Sequence, residues 1–309
     1  MKVIDNYDQE RQYTNIVVTF GNFDGVHLGH QYILSTLKKI SRDKGLPSGV
    51  LTFEPHPATI LFNRKDFRIM NQEQKENLIS HYDIDYLYII HFTKVFSQIK
   101  YQDFLSEILI KRYHAQHIIV GEDCTFGHKK LGNILALKQY MKNHEYSLNI
   151  LPPLIMNQEI CSSSLIRNYI RIGEIDIANK LLGRPYQISG IVMKGACRGR
   201  IIGFPTINIA IQEEMIKPKF GTYYAKVIYC NHSLYGVVNV GMRPTCQDLT
   251  APIIEMHILD FNQNIYNDTV YIQFLKFIRS EKKFSALDQL IQQIQDDIIK
   301  VRQLKSYIA

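Results

Sequence analysis

One stretch near the start of the chain constrains its fold more than any other, Thr19-Phe20-Gly21-Asn22-Phe23-Asp24-Gly25-Val26-His27-Leu28-Gly29-His30. An apolar, β-branched run, Asn15-Ile16-Val17-Val18, leads into it. Behind it Ile33, Leu34, Leu37 and Ile40 recur at intervals of three and four as far as Gly45. That order reads as a strand, a glycine-rich turn and a helix. His27 and His30 then fall at the helix N-terminus, three apart, with their side chains sharing a face about 5 to 6 Å apart. Free N–H groups and the positive end of the helix dipole attract phosphate at that point.

Two imidazoles there suit in-line attack on a nucleotide phosphorus by a nucleophile that is already anionic. Such a site has only to hold both reactants and to place donors where negative charge grows on the phosphorus oxygens and the leaving group. Gly29, without a Cβ, lets a nucleotide approach the backbone between the histidines.

Further along, apolar runs alternate with helical patterns. Gly49-Val50-Leu51-Thr52-Phe53 reads as a strand ending in Glu54-Pro55-His56-Pro57, a rigid loop where open α/β sheets place ligands. Helical stretches from Gln72 to His81 and from Asp103 to Tyr113 each lead into a short apolar run, 86–90 and 118–120. The alternation gives a parallel sheet covered on both faces. No glycines are spaced as G-x-G, and G-x-x-x-x-G-K-[ST] is absent, so the fold is Rossmann-like without a dinucleotide fingerprint. Cys161-Ser162-Ser163-Ser164-Leu165-Ile166-Arg167 offers capping hydroxyls and a fixed positive charge at another helix start.

A short helix, Glu174 to Leu182, stops at Gly183, and from Ile188 the pattern changes to closely spaced β-rich runs, which argue a small antiparallel barrel. The boundary is placed between 184 and 185. Ser285-Ala286-Leu287-Asp288 reads as a capping box for a last helix with Leu287, Leu290, Ile291, Ile294, Ile298 and Val301 as its buried stripe. Inside this half, Gly195, Gly199 and Gly203 let a loop wrap a phosphate chain whose charge Arg198 offsets. Thr206 and Asn208, two apart on an extended segment, present neutral oxygens on one side, which suits Mg2+ that keeps most of its water and takes charge balance from ATP.

With 309 residues, 46% hydrophobic and 21% charged, the chain is long enough for two globular domains. The polar start and the lack of any long apolar run point to a cytoplasmic protein with no membrane partner. Five scattered cysteines contain no C-x-x-C and read as reduced thiols. A net charge of +7 fits phosphate-bearing substrates, and no aromatic RNA-binding pattern accompanies it, so no nucleic-acid partner is expected.

G-N-F-D-G-V-H-L-G-H resembles the signature of the HxGH nucleotidyltransferases, in the form carried by bacterial bifunctional riboflavin kinase/FMN adenylyltransferases, the FAD synthetases. The resemblance extends to T-F-E-P-H-P, to Gly121-Glu122-Asp123-Cys124-Thr125-Phe126-Gly127, to the serine-rich helix start, and to G-x-x-x-G-R-I-I-G-F-P-T-I-N in the second half. It implies a nucleotidyltransferase domain over 1–184 and a riboflavin kinase barrel over 185–309. Together they would convert riboflavin and ATP to FMN, and FMN and ATP to FAD and pyrophosphate, with Mg2+. By the same resemblance His27 and His30 are catalytic in adenylylation, and Glu255 is the base for the riboflavin 5′-hydroxyl. ATP falls to Gly21, Phe23, Asp24, Gly29, Ser162, Ser163, Ser164 and Arg167 in the first site, and to Gly195, Arg198, Gly199 and Gly203 in the second. The flavin falls to Pro55, His56, Asp123, Phe126 and Arg279, and the metal to Thr206 and Asn208. A monomer or weak homo-oligomer is expected. Two alternatives stay open at this point. One is a single-activity adenylyltransferase whose barrel only binds flavin, because Ile207 stands beside the metal ligands; the other is a basic, non-enzymatic regulator that senses flavin or binds nucleic acid.

Overall fold

The structure, a computed structural model, describes residues 1–5, 15–144, 146–195, 198–243 and 251–306, with only the backbone described for Arg198, Arg243 and Ala251. The chain divides into two compact units, Met1–Ser163 and Ser164–Ala309.

The first unit contains β1 (Lys2–Ile4), β2 (Ile16–Phe20), α1 (Leu28–Lys44), β3 (Ser48–Glu54), α2 (Pro57–Phe62), α3 (Gln72–Ser80), β4 (Tyr86–His91), α4 (Tyr101–Asp103), β5 (Ala115–Gly121), α5 (Ile134–Asn143) and β6 (Ser147–Leu151). All six strands are parallel, in the order β1-β4-β3-β2-β5-β6. Alternate residues face opposite sides. Val17, Val50 and Ile119 pack with Leu34 and Leu37 of α1, whereas Ile16, Val18, Leu51 and Ile118 pack with Phe104, Leu105 and Leu137. Both faces of the sheet are covered, as the near-continuous apolar runs require. Helix α1 ends where Gly45 takes φ +62° and returns its N–H to Arg42 and Ser41. The stretch expected as one helix from Asp103 is different: after α4 it runs as a π-helix over Phe104–Arg112. Its buried residues Phe104, Leu105, Ile108, Leu109 and Tyr113 recur at four and five, a spacing that this wider turn keeps on one face.

After β2 the chain lays β3 and β4 on one side and then crosses to place β5 on the other. The C-terminal ends of β2 and β5 therefore form the topological switch point, where open α/β sheets bind ligands. The histidine turn leaves from one of those ends.

A small hairpin, β7 (Ile155–Met156) with β8 (Glu159–Ile160), precedes α6 (Ser163–Ile172) and α7 (Ile175–Leu182). The second unit then contains β9 (Tyr186–Ile191), α8 (Arg198–Ile201), β10 (Ile207–Ala210), β11 (Gly221–Tyr229), β12 (His232–Arg243), β13 (Ala251–Ile258), β14 (Thr269–Ser280) and α9 (Leu287–Ser306). The strands form one antiparallel sheet, β10-β13-β12-β11-β14-β9. A bridge between Met193 and Asn208 brings its two edges together into a barrel. Strand β10 is legible in the sequence only as an extended segment. In α9 the buried stripe begins later than expected: Leu287 is 57% exposed, and the hydroxyl of Ser285 donates to Gln289 instead of marking a capping box. Ile298, Val301 and Leu304 hold the helix against Tyr224, Tyr235 and Leu275 on the outside of the barrel. Asp297 adds a half-buried ion pair to Arg279 at 2.7 Å.

Leu34 is fully buried between α1 and the sheet, so Leu34→Ala should lower the unfolding free energy of this unit by about 2 to 5 kcal/mol. Urea denaturation followed by far-UV circular dichroism would measure the loss.

Candidate active site

The turn between β2 and α1 is not a relaxed one. Phe23 and Val26 hold φ of +48° and +35°, and Gly25 takes +86°. A β-branched residue such as Val26 rarely adopts positive φ, and such strain persists only where the surroundings over-determine it. Here Phe23 and Val26 are buried, 2% and 1% exposed. Hydrogen bonds from several elements fix the turn. The Val26 N–H donates to Phe23 O at 3.1 Å, and Gln31 Nε2 donates to Val26 O at 2.9 Å. The Asp24 carboxylate accepts from the Ile69 N–H at 3.0 Å, and Ser163 Oγ donates to Asp24 O at 2.8 Å.

His27 is the N-cap of α1, with extended φ and ψ of −70° and 170°, and its Nδ1 accepts from the His30 N–H at 3.3 Å. Because His27 stands just outside the helix, its ring folds back over that of His30. The two stack at 3.7 Å and 20°, closer than the helical spacing read from the sequence. Phe23 backs His30 with ring centroids 5.1 Å apart. A Cβ on Gly29 would meet the His27 ring at 3.1 Å, so the glycine makes room for the imidazole itself. Cys161 lies beneath, its Sγ 3.7 Å from His27 Nδ1, and burial pushes its thiol pKa up. Cys124, also free, is pushed up to about 12 by burial and then by Asp123.

The other residues read from the sequence in this half have separate places. Gly21 ends the β2 run, its N–H bonded to Leu51 O. Asp24 turns its carboxylate inward to Ile69, which makes it a support of the turn. Ser163 opens α6 and reaches the turn, while Ser162 precedes it and Ser164 and Arg167 follow on the same helix, within the second unit. Pro55 lines an open cleft of about 520 Å³ with Thr59, Ile60, His91 and Phe92, at the C-terminal ends of β3 and β4. His56 is buried and caps α2, its Nδ1 accepting from Ala58 N–H at 3.1 Å. Asp123 is exposed just past β5. Phe126 points into the core, against Phe20 and Phe104, and so anchors its loop.

A group that the sequence did not disclose lies under the turn. Lys75 of α3 is 2% exposed and donates to Thr52 Oγ1 at 3.3 Å, and Thr52 donates to Asn22 O at 3.2 Å. Beside it Arg68 holds Glu54 through two bonds, of 2.9 and 3.0 Å. Burial, then the Arg68 charge, bring the Lys75 pKa from 10.5 down to about 8.

In the barrel, register assembles a second constellation. Asn208 of β10 pairs with Glu255 of β13, which pairs with Asn239 of β12; Asn239 pairs with Thr222 of β11, and Thr222 with Arg279 of β14. Cross-strand partners share a face, so Arg279, Thr222, Asn239, Glu255 and Asn208 form one polar row across five strands. Local sequence does not single out Thr222 and Asn239, because the row exists through register alone. Arg279 is held by Asp297, with bonds of 3.0, 3.0 and 2.7 Å. His257, two residues beyond Glu255, donates from Nδ1 to Pro205 O at 2.8 Å and packs edge-on against Phe204, which fixes the segment leading to Thr206.

Thr206 lines a cleft with Arg200, Pro205 and Tyr266. Asn208 is 5% exposed, and its Oδ1 is buried without a hydrogen-bond partner among the described residues. A Cβ on Gly195 would meet the Asn208 amide at 2.4 Å, so any larger residue there would have to displace that amide. Gly199 sits in α8 with its carbonyl accepting from Phe204 N–H at 2.7 Å, and Gly203 follows with φ +89°. Ile207 pairs with the fully buried Met256, so strand alternation turns it to the barrel interior, away from Asn208. Among the described residues no group of three or more His, Cys, Asp or Glu is placed to hold a metal, and no helix is long and apolar enough to cross a membrane. Ala196 and Cys197 of the glycine-rich motif, and Cys246, lie outside the described residues.

Two family models match the chain, FAD synthetase over residues 9–165 and riboflavin kinase over residues 182–305. The bifunctional riboflavin kinase/FMN adenylyltransferase of Listeria monocytogenes is 37% identical over 285 residues, covering 92% of this chain and 90% of that one. Its counterparts from Bacillus subtilis and Escherichia coli K12 are 36% and 32% identical. The first covers 91% of this chain and 90% of its own, the second 97% and 96%. A crystal structure from Streptococcus pneumoniae, described as a macrolide-efflux protein, superposes with a TM-score of 0.87 at 32% identity and covers 96% of this chain and 97% of its own.

Between pH of about 8 and 10.5 the unfolded chain keeps a proton on Lys75 that the folded chain has released. Stability at this residue therefore rises with pH across that window, by up to about 3 kcal/mol. Urea unfolding of wild type and Lys75→Met should show the wild type gaining on the variant as pH is raised through that range.

Proposed function

The chain belongs to the bifunctional riboflavin kinase/FMN adenylyltransferase family, and we propose from that premise which of its residues carry each reaction. It phosphorylates riboflavin with ATP to give FMN, and it adenylylates FMN with a second ATP to give FAD and pyrophosphate. A regulator without turnover, and an adenylyltransferase with a silent barrel, are set aside by that membership. We assign adenylylation to residues 1–184 and phosphorylation to residues 185–309.

For adenylylation, the observation that carries the reading is the stacked His27–His30 pair at the N-terminus of α1. An FMN phosphate oxygen attacks the α-phosphorus of ATP, and the bond to pyrophosphate breaks. The attacking group is already anionic, so the histidines serve as donors to the developing charge and no general base is needed. Gly21, Phe23, Asp24 and Gly29 shape the nucleotide side, with Ser162, Ser163, Ser164 and Arg167 on the triphosphate. The flavin takes the side of Pro55, His56, Asp123 and Phe126; the open cleft beside Pro55 supports that placement.

For phosphorylation, Glu255 takes the proton of the riboflavin 5′-hydroxyl as that oxygen attacks the γ-phosphorus and ADP leaves. An alcohol, unlike a phosphate, begins uncharged, and such a base contributes typically 10² to 10⁴ in rate. Gly195, Arg198, Gly199 and Gly203 lie along the ATP phosphates, and Arg279 on the flavin side. Thr206 and Asn208 would hold Mg2+, which when bound neutralises charge on the phosphates; the buried, unpartnered Asn208 Oδ1 supports this. We propose a cytoplasmic enzyme acting as a monomer or weak homo-oligomer, with no membrane or nucleic-acid partner; the supply of ATP for both steps supports that location.

His30→Ala should lower adenylylation by on the order of 10² to 10³ while FMN still accumulates from riboflavin. Glu255→Ala should lose riboflavin phosphorylation and still convert added FMN to FAD. Chromatographic separation of the flavins over time distinguishes the two, and full FAD synthesis by the His30 variant would sink the histidine assignment.

A further inference from the structure

Lys75, beneath the β2–α1 turn, is used by neither reaction, yet its charge is costly to keep. Lys75 places an ammonium where it is 2% exposed, and taking such a group out of water is unfavourable unless something compensates. The groups facing it are Arg68, Glu54, Asp24 and Glu76, so three carboxylates and one guanidinium surround it. Its described hydrogen bond runs to Thr52 Oγ1 at 3.3 Å. A protonated lysine can only donate. Thr52 Oγ1 must therefore accept from it, which commits the hydroxyl proton of Thr52 to the Asn22 carbonyl, 3.2 Å away. Asn22 is the residue before Phe23, the first of the positive-φ positions on which the placement of His27 and His30 depends.

We propose that Lys75 is a positioning residue for adenylyl transfer, acting through Thr52 on the Asn22 carbonyl to hold the strained turn that carries His27 and His30. The proposal rests on the assignment of adenylylation to that turn. Lys75 touches no substrate. Its contribution is to make one orientation of a buried hydroxyl obligatory, and its positive charge offsets Asp24, whose carboxylate secures the same turn through Ile69. A neutral amine can accept as well as donate, so once Lys75 loses its proton the Thr52 hydroxyl is free to turn away from Asn22. Burial brings that loss to a pH of about 8. Adenylylation then declines above this pH, and riboflavin phosphorylation in the same chain does not follow that limb.

The test uses the full chain with ATP, Mg2+ and either FMN or riboflavin. Adenylylation kcat and KM are measured across neutral and alkaline pH for wild type, Lys75→Met, Lys75→Arg and Thr52→Val. At neutral pH, Lys75→Met and Thr52→Val should lower adenylylation kcat by on the order of 10-fold to 10²-fold, the cost of a misplaced catalytic group. Riboflavin phosphorylation should stay near the parent value, and urea unfolding of each variant reports whether the first unit still folds. Lys75→Arg should recover much of the neutral rate and lose the alkaline limb, because guanidinium does not titrate there. A parent adenylylation rate in Thr52→Val, or the same alkaline limb in Lys75→Met, overturns the proposal. If Lys75→Met does not fold, Thr52→Val and the wild-type profile decide alone. Loss of activity in His30→Ala alongside parent rates in Thr52→Val and Lys75→Met would overturn the Lys75 role and leave the histidine assignment standing. Parent activity in His30→Ala would overturn both.

Discussion

The bond between the Asp24 carboxylate and the Ile69 N–H, 3.0 Å long and inside the first unit, is what the histidine turn hangs on. Between β2 and α1 the backbone passes through positive φ at Phe23, Gly25 and Val26, two of them residues that resist it. Left to local preference such a segment would relax. It is held because Asp24 is tied to Ile69, Asn22 to Thr52, and Asp24 O to Ser163. The strain has a use: it delivers His27 just outside the helix, so that its ring stacks on that of His30 at the dipole's positive end. Sheet order supplies the location, since β2 and β5 flank the switch point.

The barrel solves a comparable problem by register instead of strain. Asn208, Glu255, Asn239, Thr222 and Arg279 are far apart in sequence, and antiparallel pairing brings them into one row. Asn208 is sealed by the Gly195 loop, Arg279 is tied to α9 through Asp297, and His257 pins the Pro205 carbonyl. Both ends of the row, Asn208 and Arg279, are thus steered by a neighbour before any substrate arrives, as preorganised phosphoryl transfer needs.

What could be read from the chain followed from how local its causes are. The helix after the histidines was legible because Ile33, Leu34, Leu37 and Ile40 repeat along one face and Gly45 ends it. Parallel and antiparallel halves separated because runs alternate with helices before Gly183 and with turns after it. The stacking of His27 on His30 was not legible, because helical spacing describes two helical residues and His27 is a cap. Lys75 was hidden for a related reason: within Gln72–Ser80 a lysine reads as part of a solvated face, and it is the tertiary placement of Glu54 and Asp24 that offsets the cost of its burial. Phe126 and Asp24 sit inside recognisable motifs, yet the structure turns one into the core and the other toward Ile69. A motif identifies which residues matter and leaves open whether they touch a ligand or hold the residue that does.

The central claim is that two reactions are run by two separate sets of residues, one on the histidine turn and one on the barrel row. It is tested most directly by mixing His30→Ala and Glu255→Ala proteins with riboflavin, ATP and Mg2+ and following FAD. The account predicts that neither protein makes FAD from riboflavin at the parent rate alone, and that the mixture does so after a lag in which free FMN accumulates. A mixture that forms FMN but no FAD, with the Glu255 variant unable to use the FMN present, would contradict it.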